Sequence, residues 1–305
     1  MHLPVLLKQT IDNLVTDTKG IYVDCTLGGG GHLKELLSRL DAGAKVLALD
    51  KDKNTLEKTK KTIGNQNVVY VHADFRQLTE VLSEQNISKA NGIMMDLGVS
   101  SFQLDESERG FSFHEDALLD MRMNQADSFS AKDLVNSYPS GEIANILWKY
   151  GEEKYSRSIA RGICQYRNEK QIETTLELVE IIKKSVPASY RREKHPARKS
   201  FQAIRIAVNG ELEALEEVLP QAVQALVPGG RLCVITFHSL EDRIVKHFFQ
   251  ENSKECLCPP GLPICICDHK PELKMEPRKP IIPDELECET NNRARSAKLR
   301  VAVKL

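Results

Sequence analysis

The chain has 305 residues, of which 41% are hydrophobic and 28% charged, and its formal net charge is −1 at pH 7. This composition is typical of a folded globular protein and excludes a disordered or uniformly basic chain. The length suits one large domain and a smaller one. No apolar run is long enough to span a bilayer, and residues 1–10 lack the pattern of a signal peptide. We therefore expect a cytoplasmic protein with no membrane partner.

Apolar runs typical of buried strands alternate with segments of helical periodicity in the first hundred residues. Strands are predicted at 21–25, 45–50, 68–72 and 92–96, and helices at 32–40, 55–62 and 75–84. This alternation indicates a parallel, doubly wound α/β sheet.

The alternation stops after Asp96. The next hundred residues show helical periodicity only, with helices predicted at 140–150, 155–168 and 174–185. The pattern then returns with a helix at 211–226, a turn at Pro228, Gly229 and Gly230, and strands at 231–237 and 298–303. We predict a discontinuous α/β domain, residues 1–103 and 201–305, with an all-helical insertion at 104–200 after the fourth strand. The Pro- and Cys-rich stretch 256–283 is predicted to be an irregular excursion.

Glycine occupies every position from Gly28 to Gly31, directly after the first predicted strand. In an open α/β sheet this turn lies at the ligand-binding edge, and glycines let the backbone approach a ligand closely. The dinucleotide fingerprint needs a third glycine where Leu33 or Lys34 stands, and no G-K-[ST] phosphate loop occurs. Asp50, which ends the second predicted strand, is placed to accept hydrogen bonds from a ribose. S-adenosylmethionine, an adenosyl ligand without phosphates, fits both features.

The loop after the fourth predicted strand holds Asp96, Ser100 and Ser101. Methyl transfer from a sulfonium is an in-line displacement, so the protein mainly positions the nucleophile. An exocyclic amine also needs a proton acceptor, for which all three residues are candidates, although the serines fit an ordinary turn equally well. The loop has no cysteine, which argues against a covalent cysteine adduct. His238, after the fifth predicted strand, is a further catalytic candidate, and a structural role suits it equally well.

Several strings of residues together resemble the bacterial MraW family of 16S ribosomal RNA cytosine-N4 methyltransferases. They are TLGGGGH (26–32), MDLGVSS (95–101), RGFSF (109–113), LDMRM (119–123), FQAIR (201–205), TFHSLEDR (236–243) and NRARS (292–296). The resemblance runs from about His2 to the C-terminus. It implies a Rossmann-like class I methyltransferase fold and, as substrate, a cytosine at the decoding centre of 16S rRNA in the small ribosomal subunit. It also implies cofactor contacts at Gly30, Gly31, His32, Asp50, Phe75, Asp96 and Gln103.

Two basic clusters and one arginine–aromatic segment indicate contact with RNA. Residues 183–205 contain eight Lys or Arg and one acid, and residues 293–304 contain five Lys or Arg and no acid. The segment at 109–113 offers a stacking and phosphate surface, although a helical subdomain that only packs its own core would also use such residues. The candidate RNA contacts are Arg109, Phe111, Phe113, Lys194, Arg198, Lys199, Arg293 and Arg295.

Cysteines form two C-x-C pairs, at Cys256 and Cys258 and at Cys265 and Cys267. Four thiolates suit a tetrahedral zinc ion, but the usual spacing is C-x2-C. Reduced loop thiols are therefore the favoured interpretation, and the sequence predicts no metal.

Two other functions stay open. A DNA amino-methyltransferase is disfavoured because the loop after the fourth strand lacks the Pro-Pro-aromatic sequence usual in such enzymes. A non-catalytic ribosome assembly factor that uses the fold as an RNA clamp belongs to a different class, and cofactor binding would separate it from an enzyme. The sequence also leaves the oligomeric state open, a homodimer included.

Overall fold

The computed structural model describes residues 4–100, 102–103, 106–193, 195–258, 266–267 and 269–305. The chain divides into two compact units. The first unit contains the residues up to Gly98 and from Leu212 onward, and the second is Val99–Glu211. The second unit extends beyond both ends of the predicted insertion, 104–200.

Strands and helices in the described residues have the following bounds. The strands are β1 (Ile21–Asp24), β2 (Lys45–Asp50), β3 (Val68–His72), β4 (Ala90–Asp96), β5 (Leu226–Thr236), β6 (Leu273–Met275) and β7 (Lys298–Lys304). The helices are α1 (Leu7–Leu14), α2 (Gly31–Arg39), α3 (Lys53–Ile63), α4 (Leu78–Glu84), α5 (Ala131–Ser137), α6 (Ser140–Gly151), α7 (Ser156–Glu169), α8 (Thr175–Lys184), α9 (Tyr190–Glu193), α10 (Arg198–Asn209), α11 (Glu211–Ala225), α12 (Ser239–Asn252) and α13 (Glu285–Thr290).

The strands of the described residues form one seven-stranded sheet in the order β3-β2-β1-β4-β5-β7-β6. The first five strands are parallel, as predicted. The last predicted strand, β7, had no predicted direction, and it is antiparallel to both β5 and β6. The connection from β6 to β7 starts and ends at one edge of the sheet, so the second strand of the pair must run back.

Side chains of β4 alternate between two apolar clusters, one on each face of the sheet. Ile93 and Met95 belong to the cluster that also contains apolar residues of α4, α11 and α12. Met94 belongs to the cluster that contains residues of α1, α2 and α3. Helices therefore cover both faces, which confirms the predicted doubly wound fold.

The connection from α11 to β5 differs from the prediction. The helix ends at Ala225 and the strand begins at Leu226, so the predicted turn at Pro228, Gly229 and Gly230 lies inside the strand. Gly229 has φ 81°, and the register between β4 and β5 shifts at this point. A glycine in the left-handed region and an irregular register let the Pro-Gly-Gly segment stay paired.

The second unit is helical and has an apolar core of its own. Its helices α5 and α8 each begin with a capping box, formed by Ser130 with Asp133 and by Thr174 with Glu177. These caps satisfy the first backbone N–H groups of each helix and fix where it begins. Within the part of the chain that the structure describes, no helix has the length and apolar character required to cross a membrane.

Candidate cofactor and active site

The glycine loop is held by the carboxylate that ends β2. The Gly28 N–H donates to Asp50 Oδ2 at 2.8 Å, and the Gly28 carbonyl accepts from Thr59 Oγ1 at 2.6 Å. Gly30 has φ 71°, and a Cβ there would lie 2.5 Å from Ile63 Cδ1. Glycine is therefore required at this position, and a direct hydrogen bond joins the loop to Asp50.

His32 lies in the first turn of α2, directly after Gly31, and is buried. Its Nε2 is 3.1 Å from the Val5 carbonyl, which can only accept, so Nε2 carries the ring proton. Burial lowers the pKa of His32 to about 4, so the ring is neutral at pH 7. Its other nitrogen, Nδ1, then presents a lone pair to Asp96 Oδ2 at 3.5 Å.

Asp96 ends β4, where its N–H donates to Thr26 Oγ1 at 2.6 Å. Its Oδ1 is buried without a hydrogen-bond partner, although 27% of the side chain remains exposed. Burial, followed by the charges of Asp24 and Glu241, raises the pKa of Asp96 to about 8. A protonated carboxyl is also the form that suits the lone pair of His32 Nδ1.

A second buried acid, Asp24, ends β1 and was not among the predicted site residues. Its Oδ1 accepts from the Thr26 N–H at 3.0 Å, and its Oδ2 is buried without a partner. Burial, and less strongly the charge of Asp50, raise the pKa of Asp24 to about 7. Its place at the end of a strand, just before the glycine loop, was the signal available in the sequence.

The donor set fits S-adenosylmethionine. This cofactor carries a sulfonium and an ammonium group, both positive, and the unpaired carboxyl oxygens of Asp24 and Asp96 can accept or balance such groups. Asp50 lies beside the glycine loop, where its carboxylate accepts from the N–H groups of Gly28 and Asp52, each at 2.8 Å.

His238 caps the N-terminus of α12. Its Nδ1 accepts from the Glu241 N–H at 3.4 Å, and its Nε2 lies 3.1 Å from Glu241 Oε1. Glu241 is 2% exposed and also accepts from the Phe237 N–H at 2.8 Å. The structure thus gives His238 a capping role and adds Glu241, whose spacing of three residues from the cap was the available signal.

Phe75 begins a 3₁₀ helix, Phe75–Gln77, directly after β3. Its ring is partly buried against the apolar cluster on one face of the sheet. Asp74 caps this helix and pairs with Lys51 Nζ at 3.0 Å. Phe75 therefore lies just beyond the carboxyl end of β3, at the sheet edge where Asp50 and Asp96 end their strands. Its ring also packs against the core.

Two further predicted residues, Ser100 and Gln103, bond reciprocally within the second unit. The Ser100 N–H donates to Gln103 Oε1 at 2.9 Å, and the Gln103 N–H donates to Ser100 Oγ at 3.3 Å. This arrangement is the ordinary turn considered as the alternative for the serines. Ser101 lies outside the described residues.

Arg109 and Phe111 are buried in the second unit, with exposed fractions of 4% and 7%. Arg109 Nη2 donates to the carbonyls of Arg122 and Met123 at 2.8 and 2.9 Å. A guanidinium held by backbone carbonyls inside the fold does not present itself to a phosphate. The RNA contacts predicted at Arg109 and Phe111 are therefore corrected to a structural role.

The other predicted RNA contacts are more accessible. Phe113 is half-buried and stacks on His195, with ring centroids 4.6 Å apart. Arg198 is exposed at the start of α10, and Lys199 Nζ donates to the Glu152 carbonyl at 2.8 Å. Lys194 lies outside the described residues.

In the first unit, Arg293 is half-buried and Arg295 is exposed, at the 3₁₀ helix Ala294–Ser296.

Three of the candidate metal ligands lie close together. The sulfur atoms of Cys256, Cys258 and Cys267 are within 4.8 Å of one another. Cys265 lies outside the described residues.

A doubly wound sheet with a glycine loop after β1 and acids at the ends of β1, β2 and β4 is a Rossmann-like nucleotide-binding arrangement, and its unpaired acids suit the cationic cofactor of a methyltransferase. The chain belongs to the MraW methylase family, whose family model matches residues 1–305. This membership confirms the predicted family resemblance and S-adenosylmethionine as cofactor.

Two relatives carry the name ribosomal RNA small subunit methyltransferase H. They come from Clostridium botulinum strains Loch Maree / Type A3 and Kyoto / Type A2. Each is 52% identical over 305 residues, covering 100% of this chain and 99% of the relative. A solved rRNA methylase from Streptococcus thermophilus is 11% identical with a TM-score of 0.42, covering 97% of this chain and 92% of that chain.

Proposed function

We propose that the chain methylates ribosomal RNA, transferring the methyl group of S-adenosylmethionine to the N4 amine of a cytosine at the decoding centre of 16S rRNA. The names of the relatives support an RNA of the small ribosomal subunit as substrate. The proposal rests on two buried carboxyl oxygens that have no hydrogen-bond partner, Asp24 Oδ2 and Asp96 Oδ1. Asp24 and Asp96 end the adjacent strands β1 and β4. We place the reaction in the cytoplasm, where the small subunit is assembled.

An exocyclic amine sets a particular chemical demand. The lone pair of cytosine N4 is delocalised into the ring, so the nitrogen must give up a proton as it takes the methyl group. When bound, S-adenosylmethionine supplies that methyl group from its sulfonium. We assign proton acceptance and orientation of the amine to Asp96, whose backbone is fixed by Thr26 and whose carboxyl is partly exposed.

The raised pKa of Asp96 suits this role once the site is filled. Without a positive charge beside it, a pKa of about 8 keeps most of this carboxyl protonated at pH 7. A positive charge within hydrogen-bonding range favours the carboxylate form and lowers the pKa. Cofactor binding would therefore ionise Asp96 and generate the proton acceptor only when a methyl donor is present.

The second unit supplies the surface that we assign to RNA. Sequence-specific RNA recognition usually targets unstacked bases, and enzymes that modify a base move it out of the stack. The Phe113–His195 ring pair offers a stacking surface, and Arg198 is an exposed cation close to it in sequence.

The test is methyl transfer to small ribosomal subunits isolated from cells that lack the gene. After incubation with S-adenosylmethionine, the RNA is digested to nucleosides and analysed by mass spectrometry, and the modified position is mapped on 16S rRNA. We expect N4-methylcytidine at a single decoding-centre cytosine. Asp96→Asn should lower the rate by about 100-fold or more, and Asp41→Asn, at an exposed aspartate of the same unit, should leave it unchanged.

Three outcomes would reject parts of the proposal. Methyl incorporation at the cytosine ring carbon instead of N4 would reject the amine as nucleophile. Preferential methylation of duplex DNA would favour the DNA methyltransferase alternative. Failure of the intact chain to bind S-adenosylmethionine in a calorimetric titration would favour the non-catalytic RNA clamp.

A further inference from the structure

The loop between α12 and β6 has a closed base. The chain leaves α12 at Asn252 and rejoins the sheet beside Glu272, whose N–H donates to the Asn252 carbonyl at 2.9 Å. The Leu305 N–H donates to the Glu272 carbonyl at 3.0 Å, which ties this point to the end of β7. The residues between Asn252 and Glu272 therefore form an excursion with fixed ends.

Three thiols converge within this excursion. The sulfur atoms of Cys256, Cys258 and Cys267 all lie within 4.8 Å of one another, and those of Cys256 and Cys267 are 3.8 Å apart. A tetrahedral zinc ion with Zn–S bonds of about 2.3 Å would separate its sulfurs by about 3.8 Å. A disulfide requires a sulfur–sulfur distance of about 2.05 Å, so the separation of Cys256 and Cys267 matches two ligands of one ion and not a disulfide.

Backbone N–H groups point at each of these sulfurs. The Cys258 N–H lies 3.3 Å from Cys256 Sγ, the Ile266 N–H 3.4 Å from Cys258 Sγ, and the Leu257 N–H 3.4 Å from Cys267 Sγ. Hydrogen bonds to ligating atoms are the outer contacts that orient the ligands of a metal site.

Apolar packing does not hold the described part of this loop. Leu257 and Ile266, which adjoin the cysteines, are 47% and 76% exposed. A metal bound by residues on both sides of a loop offsets the entropy of ordering it.

We propose that Cys256, Cys258 and Cys267 bind one soft divalent metal ion of the zinc type, independently of methyl transfer. Each thiol gives its proton to solvent as its sulfur binds, and the fourth position goes to water or to another side chain. Thiolates select zinc over hard cations such as Mg²⁺, which prefer oxygen ligands. The ion links residues on both sides of the excursion and fixes the loop beside the β6–β7 edge. The C-x-C spacing, unusual for zinc, is accommodated because Cys267 approaches from the returning side.

The test measures metal in the full-length protein, purified under reducing conditions without chelators. We expect about one zinc per chain by elemental analysis, released when the thiols are titrated with a mercurial. The Cys256→Ser/Cys267→Ser variant should lose this zinc. Cys288→Ser is the matched control, because Cys288 is a half-buried thiol on α13 outside the cluster, and it should retain the metal.

A second measurement does not depend on the folding of the variants. Cobalt(II) added to the reduced, metal-free wild-type chain should give the thiolate-to-cobalt charge-transfer band and the visible bands of a tetrahedral site. Absence of both zinc and these bands in protein with reduced thiols would overturn the proposal. A Cys256–Cys267 disulfide in place of the metal would also overturn it, as would full zinc retention in the serine variant. None of these outcomes bears on methyl transfer to RNA.

Discussion

Replacing Asp96 by asparagine should stabilise the cofactor-free protein at neutral pH, and the gain should be smaller at pH 5 and vanish below about pH 4. The folded carboxyl has a pKa of about 8, against the ordinary 3.8, so between these values the folded chain holds a proton that the unfolded chain has released. The free energy of unfolding of the wild type must therefore fall as pH rises through this window. Asparagine resembles the neutral acid and can donate to His32 Nδ1 as that acid does.

The magnitude follows from counting protons. One proton held only by the folded state changes the free energy of unfolding by about 1.4 kcal/mol per pH unit. Between pH 5 and pH 7, the Asp96→Asn variant should therefore gain about 2–3 kcal/mol relative to the wild type.

The assay must report on the unit that contains Asp96. Cys25 and Cys233 are buried in that unit, and their alkylation in a denaturant series, quantified by mass spectrometry, measures its unfolding. The single tryptophan, Trp148, lies in the helical unit and serves as an internal reference. Both chains are compared at each pH without cofactor, since a bound cation would stabilise the ionised acid. Asp41→Asn, an exposed aspartate, is the control.

A constant offset between variant and wild type from pH 5 to pH 7 would refute this reasoning, because it would mean that Asp96 is ionised in the folded chain. A variant that loses stability relative to the wild type as pH rises would refute the sign of the shift.

Three other substitutions test separate parts of the structure. Thr26→Val removes the acceptor of the Asp96 N–H and should cost about 1–3 kcal/mol in unfolding free energy. Methylation should fall with it, and Thr26→Ser should restore both. Gly110→Ala should destabilise the helical unit by about 2–4 kcal/mol, measured by Trp148 fluorescence in an unfolding titration. The reason is that Gly110 has φ 71° and a Cβ there would lie 2.3 Å from the Leu118 carbonyl oxygen. An unchanged unfolding curve would contradict this local geometry. Arg198→Ala should weaken binding to 16S rRNA and reduce the slope of log affinity against log salt by about 1, and an unchanged slope would remove this residue from the RNA surface.

Local patterns were sufficient for the parts of the fold and site that depend on one strand or one turn. Apolar runs located the first five strands, and acids that end such runs, Asp50 and Asp96, lie at the carboxyl edge of the sheet. The glycine loop was identified because its composition and its position after a strand both indicate a ligand. These features are readable since strand pattern and edge position are properties of neighbouring residues.

Long-range contacts set the parts that the sequence did not reveal. Arg109 was interpreted as an RNA contact from its residue type, yet its acceptors are the carbonyls of Arg122 and Met123, more than ten positions away. The direction of β7 depends on where the chain turns back after β6, which no periodicity encodes. β6 itself has only three residues, too few for a strand pattern to appear.

The two acids also bear on the choice between an enzyme and an RNA clamp. Burying a carboxyl oxygen without a hydrogen-bond partner costs free energy, and Asp24 and Asp96 each contain one. A chain that only held RNA would be as stable or more stable with amides at both positions, and nothing in its task would require acids. A cationic ligand changes the balance, because it stabilises the carboxylates that the empty fold keeps neutral. We therefore expect Asp96→Asn to lose cofactor affinity as well as gain stability, both from one physical cause, whereas a clamp would show the gain without the loss.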